Sequence, residues 1–300
     1  MKTHLTFTEI FKEAARVFRL HFGKIILLIL LVMIPIGILE GIITTMFSNN
    51  EVINTFIEIM ADESATADQM GTALSEMMAS LMPFLIMELI VTVMAFVFPA
   101  ALIKLTLDEG RHGALTLNYM EGDIYVINDS PAEVHDVGTA GYYLGQGVRA
   151  IPRVAFCALC GSLLVSVGLS LFVLPGLIAL LMTLVSSFYV VLTGKTSFRG
   201  FFDTGLILVK RPLILGVYIF TFGASVAVSY FLNIVLSHIP IPEGLENVMS
   251  VGLSTVSLCL TSVLTAFSAI AVAVTMINTL DVLGYEADEK GFLVKKSPEQ

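Results

Sequence analysis

Residues 154–192 read VAFCALCGSLLVSVGLSLFVLPGLIALLMTLVSSFYVVL, and the interruption Leu174-Pro175-Gly176 decides how often the chain crosses a membrane. As one helix the stretch would be about 58 Å long at 1.5 Å per residue, nearly twice a hydrocarbon core of about 30 Å. Pro followed by Gly suits the central positions of a type II turn. The stretch is therefore expected to divide into two spans, residues 154–174 and 177–192, that reverse there. Four other stretches reach the length of about 20 mainly apolar residues that a crossing needs: 25–47, 82–103, 213–236 and 249–278. The expected fold is an all-α membrane protein, residues 1–300 forming one polytopic domain with six transmembrane helices in three hairpins.

Charge placement checks this count independently. Loops on the cytoplasmic side are enriched in Lys and Arg. Six spans place all 16 cations on one side. The N-terminal segment holds Lys2, Lys12, Arg16, Arg19 and Lys24, and the 108–150 loop with its flanks holds Lys104, Arg111, Arg149 and Arg153. The fourth segment holds Lys195, Arg199, Lys210 and Arg211, and the 279–300 tail holds Lys290, Lys295 and Lys296. The other side receives the 48–81 loop, the Leu174-Pro175-Gly176 turn and the loop after residue 236, which carry acids such as Glu51, Asp62, Glu76 and Glu243 but no cation. Both termini are thus expected in the cytoplasm and the protein in a cell (inner) membrane. Composition agrees: 56% hydrophobic and 14% charged residues, against about 25% charged in soluble domains. The first apolar run is too long for a signal-peptide core of about 7–15 residues, so it is expected to stay as an anchor.

Just before the first span, Phe7, Ile10, Phe11, Ala14, Val17 and Phe18 recur at spacings of three and four, with Lys12, Glu13, Arg16 and Arg19 on the remaining face. This pattern predicts an amphipathic helix, and Thr6 with Glu9 forms a capping box at its start. The design returns before the fifth span, with Phe198, Phe201, Phe202, Gly205, Leu206 and Val209 opposite Arg199, Asp203 and Lys210. Residues 142–153 read as a third, glycine-weakened copy. Each hairpin is accordingly expected to follow a cytoplasmic interfacial helix. Lys12, Arg16, Arg19, Lys24, Arg199, Lys210 and Arg211 are the candidate contacts for lipid headgroups, since a basic residue near an anionic surface contributes about 1 kcal/mol. Residues 51–60 are expected to be helical, and Ile124-Tyr125-Val126-Ile127 to form a short strand before a turn at Asn128-Asp129-Ser130-Pro131.

Glu40 and Glu88 are the charges well inside the expected spans, and an intramembrane carboxylate is a candidate polar site. Counted along their helices, both lie at a similar depth. If they meet, they can share a proton or bind a cation; otherwise each independently reaches the outer interface or bonds to a Ser or Thr of another helix. Cys157 and Cys160 form C-x-x-C, but without the βαβ context of a redox unit they read as buried small residues. Ser162, Ser166 and Ser170, and Ser254, Ser257, Thr261, Thr265 and Ser268, have the spacing of closely packed membrane helices. The 5 histidines are scattered, and no P-loop, nucleophile elbow or H-E-x-x-H motif occurs. No catalytic, metal or cofactor site is expected, and no nucleic-acid partner.

The run Phe172-Val173-Leu174-Pro175-Gly176-Leu177, then Ser197-Phe198-Arg199-Gly200-Phe201-Phe202 leading through Lys210-Arg211-Pro212, together with the opening from Phe7 to Phe22 and Gly23-Lys24, resembles two related groups. One is the membrane domain that precedes the catalytic barrel in some bacterial glycerophosphoryl diester phosphodiesterases; the other is the YciC-like inner-membrane proteins. The resemblance covers most of the chain as a pattern, and the polar 113–140 segment departs from it. No catalytic barrel follows the sixth span, so the resemblance implies a bacterial membrane domain without phosphodiesterase activity. The expected function is to bind or organise lipid, or a membrane partner that could be a second copy of the chain. The competing function is a small-solute or ion transporter that uses Glu40 and Glu88.

Overall fold

The computed structural model describes residues 4–48, 50–61, 66–111, 120–121, 124–125, 138–195, 198–239, 246–287 and 292–295. Within it, six helices are long and apolar enough to cross a membrane, and the protein is a multi-pass membrane protein.

Helix α1 (Phe7–Leu20) begins with the expected capping box: the Thr6 hydroxyl accepts from the Glu9 N–H, and Glu9 accepts in return from the Thr6 N–H at 2.7 Å. Ile10, Ala14 and Val17 form its buried face. The single residue His21 separates it from α2 (Phe22–Ser48), the first spanning helix. Helix α3 (Glu51–Ala61) packs on the first part of α4 (Ala67–Ala95). Helix α3 thus bears out the helix expected at residues 51–60, and the new feature is that Thr66 and Gln69 supply a second capping box that starts α4 well before its apolar part.

The second crossing is interrupted. Phe96 separates α4 from α5 (Val97–Arg111), and its N–H bonds back only three residues, to the Val93 carbonyl at 3.3 Å. Pro99 is the cause, since it has no N–H to offer the Ala95 carbonyl. Strands β1 (Met120–Glu121) and β2 (Ile124–Tyr125) pair antiparallel. Val126, Ile127 and the turn expected at 128–131 lie outside the described residues.

The third copy of the interfacial helix is not a separate element. Helix α6 runs unbroken from Ala140 to Leu171, capped by Thr139 and passing through Pro152. Its glycines do not break it because packing overrides propensity: a Cβ on Gly147 would sit 2.5 Å from the Val97 carbonyl oxygen, so this half of α6 lies tight against α5. The reversal after α6 also differs from expectation. One extended residue, Phe172 (φ −156°, ψ 143°), makes it, and α7 (Val173–Thr193) carries Pro175 and Gly176 in its first turn. Pro is tolerated there because first-turn N–H groups have no partner within the helix. Gly176 is required by proximity: its Cβ would lie 2.5 Å from the Leu169 side chain, and one on Gly168 would lie 2.8 Å from Gly176 Cα.

Helix α7 ends at Gly194 in the left-handed conformation (φ +68°). Helix α8 (Phe198–Lys210) and α9 (Leu213–Ser237) follow, then α10 (Glu246–Val282), at 37 residues the longest. The chain continues beyond α10 into the 279–300 tail. It forms an antiparallel pair, β3 (Tyr285–Ala287) with β4 (Leu293–Lys295), in register Glu286 to Val294. Helix α10 is the hub, packing on α2, α9, α5 and α1, while α6 packs most extensively on α7.

Candidate functional site

Long-range contacts draw the cation-bearing segments to one end of the bundle. The Leu5 N–H donates to Asn278 Oδ1 at 3.0 Å, which joins the start of the chain to the end of α10. Arg211 Nη2 donates to the Leu5 carbonyl, bringing in the α8–α9 junction. In the tail, Phe292 lies under Lys104 Nζ (4.0 Å to the ring centroid) and Arg153 (5.0 Å), and Lys195 stands 5.9 Å from the Tyr285 ring.

The polar groups at this end pair with one another. Glu109 at the end of α5 is buried, with one oxygen 2.8 Å from His21 Nε2 and the other 3.3 Å from Arg16 Nη1. Arg16 also donates to Glu13. Burial pulls the Arg16 pKa down, but hydrogen bonding and attraction from Glu13, then Glu109, more than offset it and the net direction is up. In water such pairs contribute little, whereas breaking a buried one costs about 3–5 kcal/mol. Tyr143 on α6 donates to Asp108 at 3.2 Å. Around Asp203 of α8, Lys195 Nζ (2.9 Å) and Tyr189 OH (3.1 Å) both donate to Oδ2, and Lys195 also donates to the Tyr189 oxygen. These networks tie α1 to α5, α5 to α6, and α7 to α8.

Against that frame of pairs, the expected headgroup contacts separate into two sets. Lys12, Arg19 and Lys210 are exposed. Arg16 is half-buried in the Glu109 network, Lys24 is half-buried, and Arg211 is buried at 6% exposure. The Arg199 side chain lies outside the described residues. Lys12, Ala15, Arg16, Arg19 and Leu20 line a hollow on α1. The phenylalanines of α1 are more enclosed than an interfacial helix requires: Phe11 and Phe18 each lie 6.0 Å from Phe267 of α10, and Phe7 and Phe11 each 5.8 Å from Phe220 of α9. Helix α8 differs. Phe201, Thr204 and Ile207 are buried, while Phe202, Leu206 and Val209 form an exposed apolar stripe beside Lys210, with Val209 at 84% exposure.

Glu40 is half-buried on α2 and Glu88 is exposed on α4. These helices pack together. Among the described residues no hydrogen bond or ion pair connects the two carboxylates. Cys157 and Cys160 are buried free thiols, and Cys157 Sγ donates to Ser186 Oγ of α7 at 3.2 Å. The α6 serines do not pack the helices as expected. Ser162, Ser166 and Ser170 are exposed, Ser162 and Ser170 bonding to carbonyls of α6 itself. Gly161 makes the close contact, its Cβ position lying 2.4 Å from Thr183 Oγ1. On α10 the expectation holds in part, for Ser257 donates to Asn233 at 2.9 Å and Ser268 meets Ser225 at 3.3 Å.

Sequence reasoning missed buried His21, Glu109 and Asn278 and half-buried Asp108, which are the joints of this end. One signal was present: Asp108-Glu109 is an acidic pair between the cations Lys104 and Arg111. It also missed Gly37-x-x-x-Gly41, the small-residue spacing of close membrane helices. A Cβ on Gly37 would fall 2.9 Å from Thr255 Cα, and one on Gly41 2.9 Å from Val251 Cα, so α2 and α10 touch backbone to backbone. In comparison with known proteins, the chain matches no family model, no curated protein and no solved structure.

Proposed function

We propose that this is a non-catalytic protein of a bacterial inner membrane, with both termini in the cytoplasm, that binds anionic lipid at its cation-rich end. The observation that carries the reading is the α8 surface, where the exposed stripe Phe202, Leu206 and Val209 lies beside the exposed ammonium of Lys210. Such a helix lies in the interface plane, apolar side among acyl chains and cation at the headgroups. Lys12 and Arg19 on α1 extend the basic surface. The chain is then organised as three two-span hairpins, the first and third preceded by separate interfacial helices and the second by the continuous start of α6. The resemblance to the membrane domain of glycerophosphoryl diester phosphodiesterases and to YciC-like proteins accords with this organisation.

The test is retention of anionic lipid through purification in a mild detergent. Replacing Lys12, Arg19 and Lys210 together with Gln should lower co-purified anionic lipid at low salt and leave zwitterionic lipid unchanged. Equal lipid content in the variant and the parent would rule out the reading. Sidedness is tested by labelling intact cells, in a background without native cysteines. A cysteine at Glu76 should react with an impermeant thiol reagent and one at Lys210 should not. A second reading, proton or cation transport, draws on the placement of Glu40 and Glu88 on the packed helices α2 and α4. It predicts that Glu40→Gln abolishes cation-dependent flux in reconstituted vesicles without changing the folded yield.

A further inference from the structure

Arg211 stands just before Pro212, where α9 begins its apolar run. It is 94% buried, given its 6% exposure. Nη2 donates to the Leu5 carbonyl at 2.5 Å, and Leu5 is itself held by its N–H bond to Asn278. Nε and Nη1 are enclosed and meet no acceptor. Burial pulls the Arg211 pKa down, yet a guanidinium starts so high that it stays charged. A neutral carbonyl answers one of its nitrogens, and among the described residues no carboxylate pairs with it. A buried charge in this condition is costly unless paired; at this end buried Glu109 has both His21 and Arg16, and buried Lys104 lies over the Phe292 ring. The first turn of α9 adds the positive end of a helix dipole and has no side-chain cap.

We propose that Arg211 is the anchor of a phosphate-group site at the start of α9, where a phosphate oxygen completes the hydrogen bonding of the buried guanidinium. The chemistry fits a tetrahedral anion, which takes the planar fork of Arg through two oxygens. A phospholipid headgroup and free inorganic phosphate both present it. The site deepens the lipid-binding reading and rests on it for the lipid as source, but differs in kind: one stoichiometric, enclosed site instead of a diffuse basic surface. Enclosed pairs are screened much less by salt than exposed ones, so binding at Arg211 persists at high salt where binding to Lys12, Arg19 and Lys210 fades.

The experiment is thermal unfolding of the delipidated full chain in detergent at high salt, titrated separately with phosphatidylglycerol and with inorganic phosphate. The wild type should be stabilised, saturating at one ligand per chain. Arg211→Met should weaken that binding by roughly tenfold to a hundredfold, the loss expected for charge-assisted hydrogen bonds, and should melt no lower than wild type without ligand. Stabilisation by phosphatidylglycerol alone identifies the lipid as the source, and an equal effect of inorganic phosphate identifies the free anion. No saturable stabilisation by either, or unchanged affinity in Arg211→Met, overturns the proposal. Should Arg211→Met fail to fold, Arg211→Lys keeps the charge but not the fork; it should bind several-fold more weakly, and wild-type affinity would overturn the proposal equally. The Lys12, Arg19 and Lys210 to Gln variant separates the two readings: it should keep the salt-resistant site, and if it also keeps all its low-salt lipid, the wider reading fails while the Arg211 site stands.

Discussion

At the cation-rich end, α5 is buried on nearly every side from Ala100 to Leu107, and the last turns of α10, from Ala269 to Leu280, are buried with it. At the opposite end, Leu163 and Leu171 of α6, Phe172 at the reversal, and Val173 and Leu174 of α7 are 66% to 73% exposed. The difference follows from the solvent each end meets. Apolar side chains lose nothing by facing acyl chains, so helices within lipid associate only through close packing and polar contacts. The far end has just such a contact between α2 and α10, at Gly37 and Gly41. Where helices leave the hydrocarbon, backbone ends and charges must be satisfied, and burial again releases water from apolar surface. The bundle is therefore held mainly at one end.

The largest effect should come from the packed end. Phe98→Ala removes a fully buried ring and should cost about 3–5 kcal/mol, whereas Leu163→Ala, on the exposed side of α6, should stay within about 0.5 kcal/mol. Denaturant unfolding in detergent measures both, and equal losses would break the contrast between the ends. Slightly smaller is Glu109→Ala, which leaves buried His21 and half-buried Arg16 without their shared carboxylate. A cost of about 3 kcal/mol is expected, with α1 released from α5 and visible as faster amide exchange in α1.

Gly41→Ala places a methyl against the α10 backbone and should cost about 1–3 kcal/mol. Gly23, around which nothing lies within 4 Å, should accept Ala without loss. This pair tests whether the far end depends on that one approach. The smallest effect concerns the start of α1. Thr6→Ala should cost about 1 kcal/mol of α1 stability by removing the cap. Glu9 adds a pH dependence, because hydrogen bonds from the Thr6 backbone and then its hydroxyl hold the Glu9 carboxyl below its ordinary range. The unfolded chain then binds this proton more readily than the folded one. The contribution is complete above the unfolded value of about 4.3 and is lost as pH falls through the lowered folded value. Amide exchange at Ile10 and Phe11 should therefore accelerate in acid, and Glu9→Gln should remove that dependence.

The spans were legible because span length and apolarity are sums over neighbouring residues, and lipid imposes a threshold on those sums. The capping box at Thr6 and Glu9 was legible for the same reason, since its partners lie three residues apart. Errors arose where local cues met tertiary contact. Pro175-Gly176 has the local signature of a turn, yet Pro fits the first turn of a helix as well, and only the approach of Gly168 to Gly176 fixes which. Glycines that read as weakening residues 142–153 instead let α6 press against Val97.

Sequence alone thus determined that the protein is an apolar helical bundle in a membrane, how many helices can cross it, and that its cations cluster in four segments. Which charges those segments satisfy was decided by the tertiary structure. The partners of Glu109 lie 88 and 93 residues away and the carbonyl held by Arg211 lies 206 away, and no local periodicity encodes a meeting that depends on how the other helices are arranged around α10.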